Sequence, residues 1–246
     1  MKKIKSINLT TLFVLLILLV PLFSQGQAYF KEKTMTNNEI IFRDDFNNKS
    51  SHWRWIIKQN ANVSFNEGIA EFTIPNARFY GHFDAEIMDV EKDPYKYGTY
   101  KTRIKVDPVL KGSRGWGFWN GLCKKSWCNL AWFIYQKRNI FYPFEGLYVQ
   151  CANGNPKEMS LIPIEGYDIS EWHNYTINWR QDYVEFYIDN ELVESVTKGV
   201  PTRNCRTDVW IDNANWLLHS PLFYLPISNR FNQKTTLYLD YVEITS

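Results

Sequence analysis

Apolar and polar positions alternate with period two along most of this chain, and the spacing of an amphipathic helix is missing. Period-two alternation sends successive side chains to opposite faces of a strand, so the pattern predicts an all-β protein. ANVSFNEGIAEFTI (Ala61 to Ile74) predicts two short strands around a turn at Asn66-Glu67-Gly68. YGTYKTRIKV (Tyr97 to Val106) predicts a long strand with Tyr100, Thr102, Ile104 and Val106 on one face. In EWHNYTINW, Tyr175, Ile177 and Trp179 fall on a face to be buried and Asn174, Thr176 and Asn178 on the other. YVEFYI and ELVESV flank Asp189-Asn190, a pair that tolerates the positive φ of a tight hairpin turn. TTLYLDYVEIT (Thr235 to Thr245) is one more alternating strand. So many strands, with 17% aromatic residues, fit a two-sheet sandwich or a barrel.

The exception to the alternation lies at the N-terminus, where Lys2, Lys3 and Lys5 precede the apolar run LFVLLILLVPLF and the small, polar SQGQA. This pattern predicts a secretory signal peptide over residues 1–28, followed by a loose tail over 29–38 and one domain over 39–246. A secreted or extracytoplasmic location follows, with no stable membrane insertion once the segment is cleaved. The formal charge of +2 belongs to that segment, since its removal leaves 25 basic against 26 acidic side chains. The near-neutral remainder gives no reason to expect nucleic acid as a partner. Four cysteines, Cys123, Cys128, Cys151 and Cys205, lie in the exported part. Their even number predicts up to two disulfides; three connectivities are open, and pairing Cys123 with Cys128 would leave Cys151 with Cys205.

Five stretches in order resemble glycoside hydrolase family 16, a family with the concanavalin A-like jelly roll. They are FRDDFN followed by WRW, then YGTYKTRIKV, GWGFWNGL, EWHNYTINWRQDYVEFYIDNEL and LYLDYVEI. The resemblance covers Ile41 to Thr245 and implies a two-sheet jelly-roll β-sandwich. It also implies a Glu-x-Asp-x-(x)-Glu run after the GWGFWNGL strand, the first Glu as nucleophile and the last as general acid/base. Alternation explains that spacing, because residues i and i+2 share a face about 6.6 Å apart. Here the equivalent strand falls in NLAWFIYQKRN, with Ala131, Phe133 and Tyr135 on one face and Trp132, Ile134 and Gln136 on the other. No Asp or Glu occurs from Pro108 to Phe144, while Lys111, Arg114, Lys124, Lys125, Lys137 and Arg138 do. A shifted alignment therefore cannot restore the carboxylates.

The remaining acids near the expected groove are weak catalytic candidates. Glu145 lies just beyond the acid-free region; Asp84 and Glu86, in DAEIMD, share a strand face, which reads first as a solvated one. The acid-free region instead carries ten aromatic residues in 37. Flat rings supply contact area to the apolar faces of sugars and polar neighbours fix orientation. Trp116, Trp119, Trp132, Tyr135 and Trp216 are the candidate stacking residues, and Asn120, Gln136 and Arg138 the candidate hydrogen-bonding ones; Asn213 is a further polar neighbour. His173 reads as a structural hydrogen-bonding residue at a strand start. The resemblance implies Asp240 as a ligand of a structural calcium; no other cofactor is expected. The reading is a secreted protein that recognises a polysaccharide or oligosaccharide without the family's retaining mechanism. The alternatives are a glycosidase of β-glucan or galactan with relocated carboxylates, and an extracellular structural or protein-interaction domain.

Overall fold

The computed structural model describes residues 39–75, 82–107, 112–121, 128–136, 145–155, 157–215, 227–228 and 233–246. The expected signal peptide and tail, and Cys123, Arg138 and Trp216, lie outside them. The described elements are all strands, in the order β1 (Ile40–Asp44), β2 (Trp53–Lys58), β3 (Asn62–Asn66), β4 (Ile69–Ile74), β5 (Asp84–Asp89), β6 (Gly98–Val106), β7 (Ser113–Trp119), β8 (Asn129–Gln136) and β9 (Gly146–Asn153). There follow β10 (Ser160–Ile164), β11 (His173–Trp179), β12 (Val184–Ile188), β13 (Glu191–Val196), β14 (Arg206–Asp212), β15 (Ala214–Asn215), β16 (Ile227–Ser228) and β17 (Thr235–Thr245).

Two antiparallel sheets form a sandwich. The first runs β13-β12-β11-β6-β17-β4-β3, with β1 added to β17, and the second runs β10-β9-β8-β7-β14-β5-β2. The turns follow residue chemistry: Asp189 and Asn190 take φ of 50° and 70°, as expected between β12 and β13. The core between the sheets is built from the faces that the alternation marks, including Tyr100, Ile104, Tyr175, Ile177, Trp179 and Phe186 from the first sheet. Trp116, Phe118 and Phe133 from the second meet them, with ring centroids 4.7 Å apart for Trp116 and Tyr175 and 5.3 Å for Phe118 and Trp179.

One expectation changes here. Cys151 and Cys205 are both free, buried thiols rather than a pair. Cys151 lies on β9 and Cys205 immediately precedes β14, with β8 and β7 between them. The Cys205 thiol instead lies 3.6 Å from the Asn129 carbonyl oxygen and 3.5 Å from that of Arg203. Asp240 is the residue at which the register of β17 against β6 slips, and its carboxylate accepts a hydrogen bond from Arg103 Nη1 at 2.8 Å. Arg103 thus pairs with the carboxylate of Asp240, the residue expected as a calcium ligand.

Candidate functional site

Strand register fixes which side chains share the outer face of the second sheet, the one turned away from the core. In β8, Ala131 and Phe133 point into the core, with Tyr135 packed against it, while Leu130, Trp132, Ile134 and Gln136 point outward. Across the neighbouring strands the outer face forms ordered rows. Lys58, Asp84 and Asp212 lead through Ser113 to Gln136; Ile56, Glu86 and Trp210 lead through Gly115 to Ile134 and Tyr148. Arg54, Met88 and Asp208 lead through Gly117 to Trp132 and Gln150; Arg206 leads through Trp119 to Leu130 and Ala152.

One half of this face is aromatic. Trp210 lies flat across β7, because a methyl group on Gly115 would sit 2.1 Å from its Cη2. Its Nε1 donates to Ser113 Oγ at 2.9 Å, and its ring meets Trp132 with centroids 4.7 Å apart. Trp132 Nε1 donates to Gln150 Oε1 at 2.8 Å, and the half-buried Trp119 packs beside Leu130. Gly117, at φ 145°, leaves the outer face between Asp208 and Trp132 without a side chain.

The other half is acidic. Asp84 and Asp212 stand directly opposite on β5 and β14; Lys58 Nζ pairs with Asp84 at 2.5 Å, and Ser113 N and Oγ donate to Asp212 Oδ1 at 3.1 and 2.9 Å. Burial, then Asp212, pushes the Asp84 carboxyl up, with Lys58 opposing. Glu86 is half-buried, and burial followed by the Asp84 charge pushes it up to about 8. Asp208 is 4% exposed with Oδ1 unpartnered, and burial followed by Glu86 and Asp84 drives it well above the usual carboxylate range. Like charges on adjacent strands with few donors cannot all ionise, so this group retains protons at neutral pH.

The expected site residues separate accordingly. Trp119, Trp132 and Gln136 reach the outer face, and both polar atoms of the Gln136 amide are buried without a partner. Trp116 does not: it is wholly buried between the sheets, stacked on Phe133, so its part is core packing. Tyr135 also points to the core side, its hydroxyl donating to Glu145 Oε1 at 3.1 Å. That contact makes Glu145 a partner of a core-side tyrosine on an exposed strand end. Asn120 is buried, its Oδ1 accepting from Asn129 N at 3.1 Å, and closes the β7–β8 turn. Asn213 Oδ1 likewise accepts from Phe83 N at 2.9 Å. His173 ties the β11 start to Asp189 Oδ2 at 2.6 Å and to the Asp168 carbonyl at 3.0 Å, a structural clamp as expected. Asp84 and Glu86 are not on a solvated face, because their neighbours on β14 and β2 enclose them. Sequence reasoning missed Asp208, Trp210 and Asp212; the alternation in DVWID was the signal that could have found them.

Residues 147–212 match the model of glycosyl hydrolases family 16. The chain is similar to that family in sequence over β9 to β14, a segment that holds Asp208 and Asp212 but not β8. Solved structures extend the likeness to the whole sandwich. The β-glucanase of Bacillus licheniformis superposes with a TM-score of 0.61 at 16% identity, over 86% of this chain and 100% of that one. The κ-carrageenase of Pseudoalteromonas carrageenovora, in complex with an oligotetrasaccharide of κ-carrageenan, gives 0.60 at 14% identity over 89% and 99%. The laminarinase catalytic domain of Thermotoga maritima gives 0.58 at 16% identity over 86% and 99%. At such identities the likeness establishes the fold, a family 16-like jelly roll. No match occurs among curated protein sequences.

Proposed function

We propose that this protein recognises a polysaccharide on the outer face of its second sheet, and that β8 does not carry the retaining hydrolysis for which the family places carboxylates there. The observation that carries this reading is the outer row of β8 itself, Leu130, Trp132 and Ile134, which lies against Trp119, Tyr148 and Trp210. A carboxylate pair is required to attack and protonate an acetal in the retaining geometry. Of the rings in its place, the partly exposed Trp119 and Trp132 offer stacking area for sugar faces, backed by the buried Tyr148 and Trp210, with Gln136 and Gln150 as neighbouring polar groups. The relatives' names, a β-glucanase, a carrageenase and a laminarinase, point to β-glucans and galactans as the classes to try.

Affinity electrophoresis through gels containing β-glucans or galactans tests the reading. The protein is expected to be retarded by at least one, and Trp132→Ala to lose most of that retardation while remaining folded. Unretarded migration of the folded protein through every gel would overturn it.

A further inference from the structure

We propose that a cavity at one end of the sandwich, apart from the outer face of the second sheet, binds a saccharide that carries a carboxylate or a sulfate. The cavity has a volume of about 620 Å³, within the roughly 300–1,000 Å³ of small-ligand clefts. It opens where β1, the start of β2, the β5–β6 connection and the end of β11 come together, and its lining includes Phe42, His52, Glu91, Lys96, Tyr97 and Arg180. Phe42, His52, Tyr97 and Arg180 are partly exposed, and Lys96 and Glu91 are exposed, so a solute reaches them. That the ligand is a saccharide rests on the glycan-recognition reading above; the pairing of rings with uncompensated cations stands on the cavity alone.

The β5–β6 connection that walls the cavity is held in an unfavourable backbone state. Tyr97 takes φ of 67°, and a bulky residue at positive φ is an outlier. Such strain persists only where the surroundings fix it. Here Tyr95 N donates to the Cys205 carbonyl at 2.9 Å, Cys205 N donates back to Tyr95 at 2.8 Å, and Tyr97 meets Trp179 with ring centroids 5.3 Å apart. Gly98 follows at φ 119°, where a Cβ would sit 2.6 Å from the Thr245 carbonyl oxygen. Lys96 and Tyr97 are thereby set on the cavity wall, the ammonium 5.6 Å from the ring centroid. Elsewhere on the lining His52 stacks on Phe42 with centroids 3.6 Å apart, and Asp89 fixes its Nε2 at 2.5 Å.

Charge selects the ligand. Arg43, Arg103 and Arg206 each pair with a carboxylate. Arg180 pairs with none among the described residues: its Nη1 donates to the Trp179 carbonyl at 3.3 Å and its Nη2 to Thr99 Oγ1 at 3.5 Å. Two neutral acceptors thus hold the guanidinium and leave its charge and remaining N–H groups for a carboxylate or sulfate. Lys96 likewise has the Tyr97 ring, not an acid, beside it among the described residues. Glu91 is the one acidic side chain on the described lining, and the two cations outweigh it. The partly exposed rings of Tyr97 and Phe42 suit the apolar face of a sugar whose acid group rests on those cations.

The test is titration calorimetry of the full chain with digalacturonate, galactose 6-sulfate, neutral galactobiose, benzoate and sodium sulfate. Digalacturonate and galactose 6-sulfate should bind about tenfold or more tightly than the other three, and more weakly as salt rises. Arg180→Gln should weaken digalacturonate binding about tenfold or more and Lys96→Gln about threefold, while Lys157→Gln, between β9 and β10, leaves it unchanged. Galactobiose, benzoate or sodium sulfate binding as tightly as the acidic sugars would overturn the inference. Affinity undiminished by Arg180→Gln and Lys96→Gln would equally overturn it. Should Arg180→Gln fail to fold, Lys96→Gln at its exposed position carries the test. Gel retardation without binding of either acidic sugar would overturn this inference and leave outer-face recognition standing; acidic-sugar binding without retardation by any gel would do the reverse.

Discussion

The two halves of the outer face of the second sheet carry opposite chemistry. On the β7–β9 side the outward positions are Trp119, Leu130, Trp132, Ile134 and Tyr148; on the β5–β14 side they are Asp84, Glu86, Asp208 and Asp212, with Trp210 reaching from the second half across to the first. The strands are equally regular, so backbone geometry does not separate them. What differs is compensation. The rings satisfy one another by packing, whereas Asp84 relies on Lys58, Asp212 on Ser113, and burial holds protons on Glu86 and Asp208.

The strongest way to break this contrast is to write acids back onto the aromatic half. Leu130→Glu with Ile134→Glu buries two carboxylates at positions 0% and 2% exposed, and should destabilise the protein by about 5 kcal/mol or more. A urea midpoint equal to that of the parent would show the two halves to be interchangeable after all. Next in size is the contrast between tryptophans on the two sides of β7 and β8. Trp116→Ala should cost about 3–5 kcal/mol in chemical denaturation, because it empties a core site against Tyr175 and Phe133. Trp132→Ala should cost less stability and weaken glycan retention about tenfold, near 1.4 kcal/mol. Equal effects of the two on retention would erase the distinction between core ring and outer ring.

The smallest effect sharpens the acidic half. The folded-state carboxyl of Glu86 sits above its unfolded value, so the native state holds a proton that the unfolded chain releases as pH rises. Stability from this group is complete below about pH 4.5, falls between there and about pH 8, and changes no further above. Glu86→Gln should therefore melt like the parent at pH 4 and higher than it at pH 8, by roughly 2–4 °C for each kcal/mol relieved. A shift of the same size at both pH values would assign the change to packing rather than to charge.

Local pattern carried the fold because each strand declares its own buried face. Tyr175, Ile177 and Trp179 needed no neighbour to be read, and Asp189-Asn190 specified its own turn. The missing carboxylates of β8 were equally legible, being an absence along one continuous stretch. The acids grouped across β5 and β14 were not. Asp84 and Glu86 meet Asp208 and Asp212 only because β5 pairs with β14, across more than a hundred residues of intervening chain. Alternation says which residues share a side of one strand, but not which strand lies beside it. The same limit explains Trp116, whose ring matches the others in type yet points the opposite way, and the two thiols, paired by elimination but each free and buried.

β17 lies between β6 and β4 and also carries β1, so it joins three partners from the opposite end of the sequence. Until that C-terminal segment has been synthesised, the first sheet is two fragments with raw edges rather than a surface. The second sheet, and with it the grid of rings and acids, then has nothing to lean on. Pairings of such long sequence separation place the molecule among slow-closing folds, whose strand edges stay open until the last partner arrives.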